Sequence, residues 1–148
     1  MPQENTETTY ETAKQIAKQN SKEKWYNSWE TEERGRSLHK YLPTPNPEDP
    51  INKLCRKDQC NIFRLRTGHA ILNEHRNRID PQVPPLCRHC NSPRETVEHH
   101  LLHCRKLTEL RKTLLPANPT IENCLYGNKK QLENTALYHR MASRVYES

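Results

Sequence analysis

A mainly α fold with little or no β structure is what this sequence predicts, on three observations. Apolar residues recur at helical spacing in separate stretches, no stretch sustains the alternation of a half-buried strand, and proline clusters punctuate the helical runs. The core must be small, because only 32% of the 148 residues are hydrophobic, there is a single Phe, and the mean hydropathy is -1.14. A chain that buries so little apolar surface needs a staple. The run Cys87-Arg-His-Cys90, followed by His99, His100 and Cys104, offers one.

The elements follow in order. Residues 8 to about 34 read as helix, with Tyr10, Ala13, Ala17, Trp25 and Trp29 as its apolar positions, Ser21 able to interrupt it and Gly35 ending it. The two tryptophans, four apart, are expected to pack near Leu38. The four prolines between Leu42 and Pro50 exclude a regular helix and favour an extended spacer or strap. Asp49 and Pro50 suit the cap and first position of a helix beginning near Ile51. Its face is formed by Ile51, Cys55, Ile62, Leu65 and Leu72, widened by Leu54 and Phe63, with a break expected at Gly68. Pro81, Pro84 and Pro85 end it after Ile79.

A second amphipathic helix is expected from Thr96 or Val97 to Pro116, with Val97, Leu101, Cys104, Leu107, Leu110 and Leu114 on one face. Thr120 is placed to cap a short turn. Gly127 separates that turn from a last helix, about Lys129 to Val145, with Leu132, Ala136 and Met141 as its stripe. This divides the chain into an N-terminal helical segment (1–42), a Pro-rich linker (43–50), a helix plus cysteine module (51–116) and a C-terminal helical segment (117–148).

Cys87, Cys90 and Cys104 with an intervening histidine match the spacing of a structural Zn2+ site, one ion held by four protein ligands. The small helical domain would then be organised around a C-x2-C-x8-H-x4-C zinc knuckle. Disulfides are the competing use of six cysteines, but residues 1–12 are polar where a signal peptide would be apolar. No apolar run exceeds three residues, as in Ala70-Ile71-Leu72, so an intracellular chain without a membrane span is expected. Spacing leaves the histidine open. On a regular helix His100 and Cys104 lie about 40° apart, whereas His99 and Cys104 diverge by about 140°. Helical geometry therefore prefers His100, unless His99 sits in an irregular first turn. His89 and His103 are weaker candidates. Cys55-x4-Cys60 with His69 and His75 loosely mimics a second finger but lacks a turn residue, so Cys55 is expected in the core and Cys60 and Cys124 as free thiols.

The formal net charge is +6, from 24 Lys+Arg against 18 Asp+Glu. Acidic residues crowd the first fifty positions and basic ones cluster from Lys53 to Lys112, which suits a nucleic-acid partner. Arg64, Arg66, Arg88, Arg94, Arg105 and Lys106 are the candidate phosphate contacts. Catalytic machinery is absent from the pattern: the three glycines, at 35, 68 and 127, form no phosphate loop, and Asp49, Asp58 and Asp80 are no paired metal-binding aspartates. No catalytic residue and no small-molecule substrate are expected.

The order Trp25-x3-Trp29, Gly35-Arg36, Tyr41-x-Pro43, Leu65-Arg-Thr-Gly-His69 and Cys87-x2-Cys90-x4-Glu95-Thr96-x2-His99-x4-Cys104 resembles the C-terminal tail of non-LTR (LINE-type, jockey-like) retrotransposon reverse transcriptase polyproteins. The resemblance covers most of residues 25–115. It implies that His99 is the metal histidine. It also implies a role in binding RNA or DNA beside a reverse transcriptase or other protein, in a nuclear or cytoplasmic ribonucleoprotein. Tyr-x-Asp-Asp and a ribonuclease H carboxylate set are missing, so the chain looks like a detached tail with only the binding role left. The competing expectations are a zinc-stabilised protein-interaction module, in which the leucine-rich stretch from Val97 to Leu115 and the tryptophans dock another protein, and a non-functional relic of the element.

Overall fold

The computed structural model describes residues 9–144, and among these there are seven α-helices and no strand. Residue 8 and Val145, expected at helix ends, lie outside the described residues. Contacts divide the chain into one unit that runs to Pro45 and a second that begins at Asn46.

In the first unit, α1 (Tyr10–Thr31) is opened by the Thr9 hydroxyl, which accepts the Thr12 N–H at 3.2 Å. It runs unbroken through Ser21 and contains no buried residue. Gly35, in the left-handed region at φ 72°, then starts α2 (Arg36–Tyr41). A Cβ at Gly35 would sit 3.1 Å from the Trp29 ring, so sterics and dihedral both demand glycine there. The Trp29 indole N–H donates to the Leu42 carbonyl at 3.0 Å and its ring meets His39 and the Arg36 guanidinium. Trp25 stacks on Trp29 with centroids 5.9 Å apart. The tryptophans thus tie α1 to α2.

The expected spacer ends in order rather than in a free strap. Asn46 closes a turn onto Glu48 and Asp49, and the Asp49 carboxylate caps a single 3-10 turn, Pro50–Lys53, by accepting the Ile51 N–H at 3.0 Å. The helix anticipated from Ile51 is interrupted because Leu54 goes extended and buries its side chain, and α3 (Arg56–Thr67) begins only afterwards. Cys55 is the residue before α3 and is exposed, not a core residue. Gly68, at φ 76°, ends α3 as anticipated, and α4 (Asn73–Ile79) follows.

The anticipated helix from Thr96 to Pro116 is three pieces. A wide turn of i→i+5 type covers His99–His103, the chain goes extended at Cys104, and a 3-10 turn (Arg105–Leu107) leads into α5 (Thr108–Leu114). Thr120 caps α6 (Ile121–Leu125) in a reciprocal box with Asn123, at 3.1 and 2.8 Å. Gly127 is needed because a Cβ there would lie 2.4 Å from the Asn123 carbonyl. Asn128 and Gln131 then cap α7 (Lys129–Arg144).

α7 is the spine of the second unit, with α3, α5 and α6 all packed on it. Leu132, Thr135, Ala136, Tyr138 and Ala142 form its buried face, while Met141, expected on that face, is exposed. They meet Ile62 and Leu65 of α3, Leu101 and Leu107, and Cys124 and Leu125 of α6 in one core. The helices α6 and α7 pack with α3 and α5 and complete this core. The cause is that α3 and α5 each have an apolar stripe and α7 covers both.

Arg66 locks this arrangement from inside. Its Nη atoms donate to Asp49 at 2.7 and 3.1 Å, its Nε to the Leu125 carbonyl at 2.6 Å, and its guanidinium lies over the Tyr126 ring. With its side chain 3% exposed, Arg66 is a structural residue and not a phosphate contact. No helix among the described residues is long and apolar enough to cross a membrane.

Candidate metal centre

The C-x-x-C turn is shaped by its backbone. The Asn91 N–H donates to the Cys87 carbonyl and the Cys87 N–H to the Ser92 carbonyl, both at 2.9 Å, and Asn91 takes a left-handed φ of 61° to close the loop. These bonds bring the Cys87 and Cys90 thiols to one side. The wide turn at His99–His103 brings the other two donors.

The donor set that forms contains His99 and not His100. The Cys104 N–H donates to the His99 carbonyl at 2.8 Å, five residues back. A turn closed this way takes more than four residues per revolution, so residues five apart lie closer to one face than on a regular helix. His99, disfavoured on a regular helix, thereby reaches Cys104. His100 is directed into the core instead, where its Nε2 pairs with His139 Nδ1 at 3.0 Å and its ring meets Tyr138 edge-on.

The donor atoms of Cys87, Cys90, His99 and Cys104 all lie within 4.8 Å of one another. Cys87 Sγ is 3.8 Å from Cys104 Sγ, and Cys90 Sγ is 3.3 Å from His99 Nε2. A tetrahedral ion with metal–sulfur bonds of about 2.3 Å and metal–nitrogen bonds of about 2.0–2.1 Å requires edges of roughly these lengths. This Cys3His cluster, its three thiols buried, can hold a metal ion. Among the described residues it is the one such group: the rings of His69 and His75 meet, with centroids 5.1 Å apart, but Cys55 and Cys60 join no cluster with them. His103 is exposed and faces Glu98, and His89 is half-buried outside the donor set.

The thiols differ in acidity. Burial pushes the Cys87 thiol up to about 12 and raises that of Cys104 as well. Burial also opposes ionisation of Cys90, but the Ser92 hydroxyl, 3.0 Å away, with the Ser92 amide and the neighbouring thiols, brings it down to about 6. The Ser92 contacts make Cys90 the most acidic of the three, and a bound cation would have to displace protons from the buried Cys87 and Cys104 thiols.

A clamp that the sequence did not announce holds the loop. Glu95, fully buried, accepts the Asn73 N–H at 2.8 Å and, at 3.1 Å each, the Arg88 N–H and the Arg88 Nε–H. Its own N–H donates to the Pro85 carbonyl at 2.7 Å. Thr96 next to it accepts the His99 N–H at 3.0 Å, capping the wide turn. The Glu95-Thr96 lead-in thus fixes both the loop that carries Cys87 and Cys90 and the turn that carries His99. On the far side the Tyr138 hydroxyl donates to the His100 carbonyl at 2.6 Å and Arg111 Nη2 to the Cys104 carbonyl at 2.7 Å. They occupy carbonyls that a broken helix would otherwise leave buried and unpaired.

The candidate phosphate contacts separate. Arg64, Arg105 and Lys106 are exposed. Arg88 is held by Glu95 and by the Ile71 carbonyl at 2.9 Å, and Arg94 is paired with Glu74. Together with the interior placement of Arg66, this leaves a smaller basic surface than the six residues suggested. No family model, no curated protein and no solved structure matches the chain.

Proposed function

We propose that this chain is a Zn2+-binding module that binds RNA or single-stranded DNA, derived from the tail of a non-LTR retrotransposon reverse transcriptase polyprotein and without a catalytic site of its own. The observation that carries it is the Cys3His cluster with Arg105 and Lys106 exposed directly after its last ligand. Three thiolates and an imidazole at tetrahedral spacing favour zinc over hard cations, which prefer oxygen donors. With four protein donors no coordination position is left for a reacting water, so the ion's role is structural. Its role is to hold the basic segment after Cys104 against the loop of Arg88 and Arg94. Phosphate contacts there give affinity without sequence reading, as suits an intracellular ribonucleoprotein component.

Fluorescence anisotropy with a labelled single-stranded oligonucleotide, run with the zinc-loaded chain across a salt series, tests this. Affinity should fall steeply with salt and should drop at least tenfold when Arg105 and Lys106 are both reversed to Glu. Salt-independent binding, or no effect of the reversal, sinks the proposal.

A zinc-stabilised protein-interaction module was the competing use of the leucine-rich stretch after Val97. In that stretch Leu101, Leu107 and Leu115 are buried and Leu110 and Leu114 pack on the same core.

A further inference from the structure

Between α3, the metal loop and α7 lies a cleft of about 340 Å3 whose walls include Asn61, Arg64, Arg88, His139 and Ser143. No carboxylate lines it. The acidic groups on the packed elements are already engaged: Glu95 with Arg88, and Asp58 with Arg140. Arg88 is accordingly compensated, and the uncompensated charge in the cleft belongs to Arg64, which forms no ion pair among the described residues. A cleft with a surplus guanidinium and no acid favours an anion.

The imidazole at its wall is set as a donor. His100 Nδ1 is buried with no hydrogen-bond partner, and an orphaned buried acceptor is tolerated better than an orphaned N–H. The proton of His100 therefore sits on Nε2 and is donated to His139 Nδ1 at 3.0 Å. His139 must then carry its own proton on Nε2, the nitrogen left for the cleft. The Ser143 hydroxyl, donating to the His139 carbonyl at 2.9 Å, steadies that turn of α7.

We infer that this cleft seats one phosphate of a single-stranded nucleic acid, with Arg64 as its charged contact and the His139 Nε2–H and Asn61 amide as neutral donors. The identity of the ligand rests on the nucleic-acid function proposed above; the place of contact rests on the cleft alone. In the anisotropy titration, Arg64→Ala should weaken binding about five- to tenfold and reduce the salt slope by about 0.7 to 0.9, the share of one phosphate. Arg64 is exposed, so the variant should fold, which circular dichroism checks. An oligonucleotide that binds wild type and Arg64→Ala with the same salt slope overturns the cleft while leaving nucleic-acid binding intact. If wild type binds no oligonucleotide, the proposed function is withdrawn, and the cleft is judged by titrating inorganic phosphate while following the His139 ring by NMR. A shift in wild type that is lost in Arg64→Ala supports the anion site, and no shift overturns it.

Discussion

The N–H of Cys104 closes on the carbonyl of His99 at 2.8 Å, a bond one residue longer than that of an α-helix. With this turn the donors of His99 and Cys104, which regular helical geometry would separate, lie in one cluster that can hold a metal ion, while the adjacent His100 pairs with His139. Wide turns are rare because their geometry is poorer, so something else must hold this one. The Thr96 cap on its first amide and the Tyr138 hydroxyl on the His100 carbonyl do so.

The two neighbouring histidines should therefore separate cleanly in function. His99→Ala should abolish the absorption of a tetrahedral Co2+ complex and the one-to-one zinc content. His100→Ala should keep both while costing on the order of 2 kcal/mol of stability from the buried space and lost hydrogen bond. Retention of tetrahedral Co2+ by His99→Ala would reassign the ligand.

Removing the metal should unmake the fold around it. The described core is small, and Cys87 and Cys104 belong both to it and to the cluster that can hold a metal ion. A strong chelator should lower the helical circular dichroism signal, and added Zn2+ should restore it. A signal indifferent to both would show that the core stands without the staple.

Glu95 supports the site without being one of its four donors. Glu95→Gln keeps the volume but converts the acceptor of Asn73 and Arg88 into a neutral amide, so the loop should loosen and zinc affinity fall about 10- to 100-fold. Competition against a chromophoric chelator measures it. An unchanged affinity would show that the loop is held by its own backbone alone.

Asp49 and Arg66 form a buried pair, and breaking it from one side should be expensive. Asp49→Ala leaves the guanidinium uncompensated beside the Leu125 carbonyl and should cost about 3–5 kcal/mol. Burial pushes the Asp49 carboxyl up, yet the Arg66 guanidinium and the Ile51 amide outweigh it and leave its pKa below the ordinary value of 3.8. A depressed carboxylate stabilises the fold above its unfolded pKa, and that stabilisation is lost as pH falls through the lower folded value. Urea midpoints measured below pH 4 should drop more in wild type than in Asp49→Ala over the same window. An equal drop would assign the acid loss to the other carboxylates and the metal cluster.

The histidine pair responds at milder pH. Burial holds His100 well below its usual 6.5, with His139 adding to it, and burial likewise lowers His139, aided by Arg88 and opposed by Glu95. Both are neutral in the fold, so their contribution is present above pH 6.5 and lost as pH falls from there toward their folded values. His139→Gln should lose less stability than wild type between pH 7 and 5, read by urea unfolding of the zinc-loaded chain. An equal loss would assign the acid sensitivity to the metal ligands.

Much of the local structure was legible in the residues. The prolines after Ile79 mark where the helical run stops, Gly68 the end of α3, and Thr120 the cap of α6, because each acts on its own few residues through fixed dihedrals or a short hydrogen bond. The spacing of Cys87, Cys90 and Cys104 pointed to a metal for the same reason: a C-x-x-C turn needs no distant partner. Cys55, Met141 and the long helices from Ile51 and Thr96 were misread where a tertiary contact overrides periodicity, as when Leu54 goes extended to reach the core.

By itself, then, the sequence determined a helical chain with a small core, a basic middle and three cysteines set for one ion, since these follow from composition and local stereochemistry. Only the tertiary structure decided which histidine joins them, that Arg66 faces inward to Asp49 while Arg64 stays outside, and that Glu95 is the clamp. Those outcomes depend on which groups α7, Leu125 and Asn73 bring alongside, and a buried charge or carbonyl must find its partner wherever the fold supplies one.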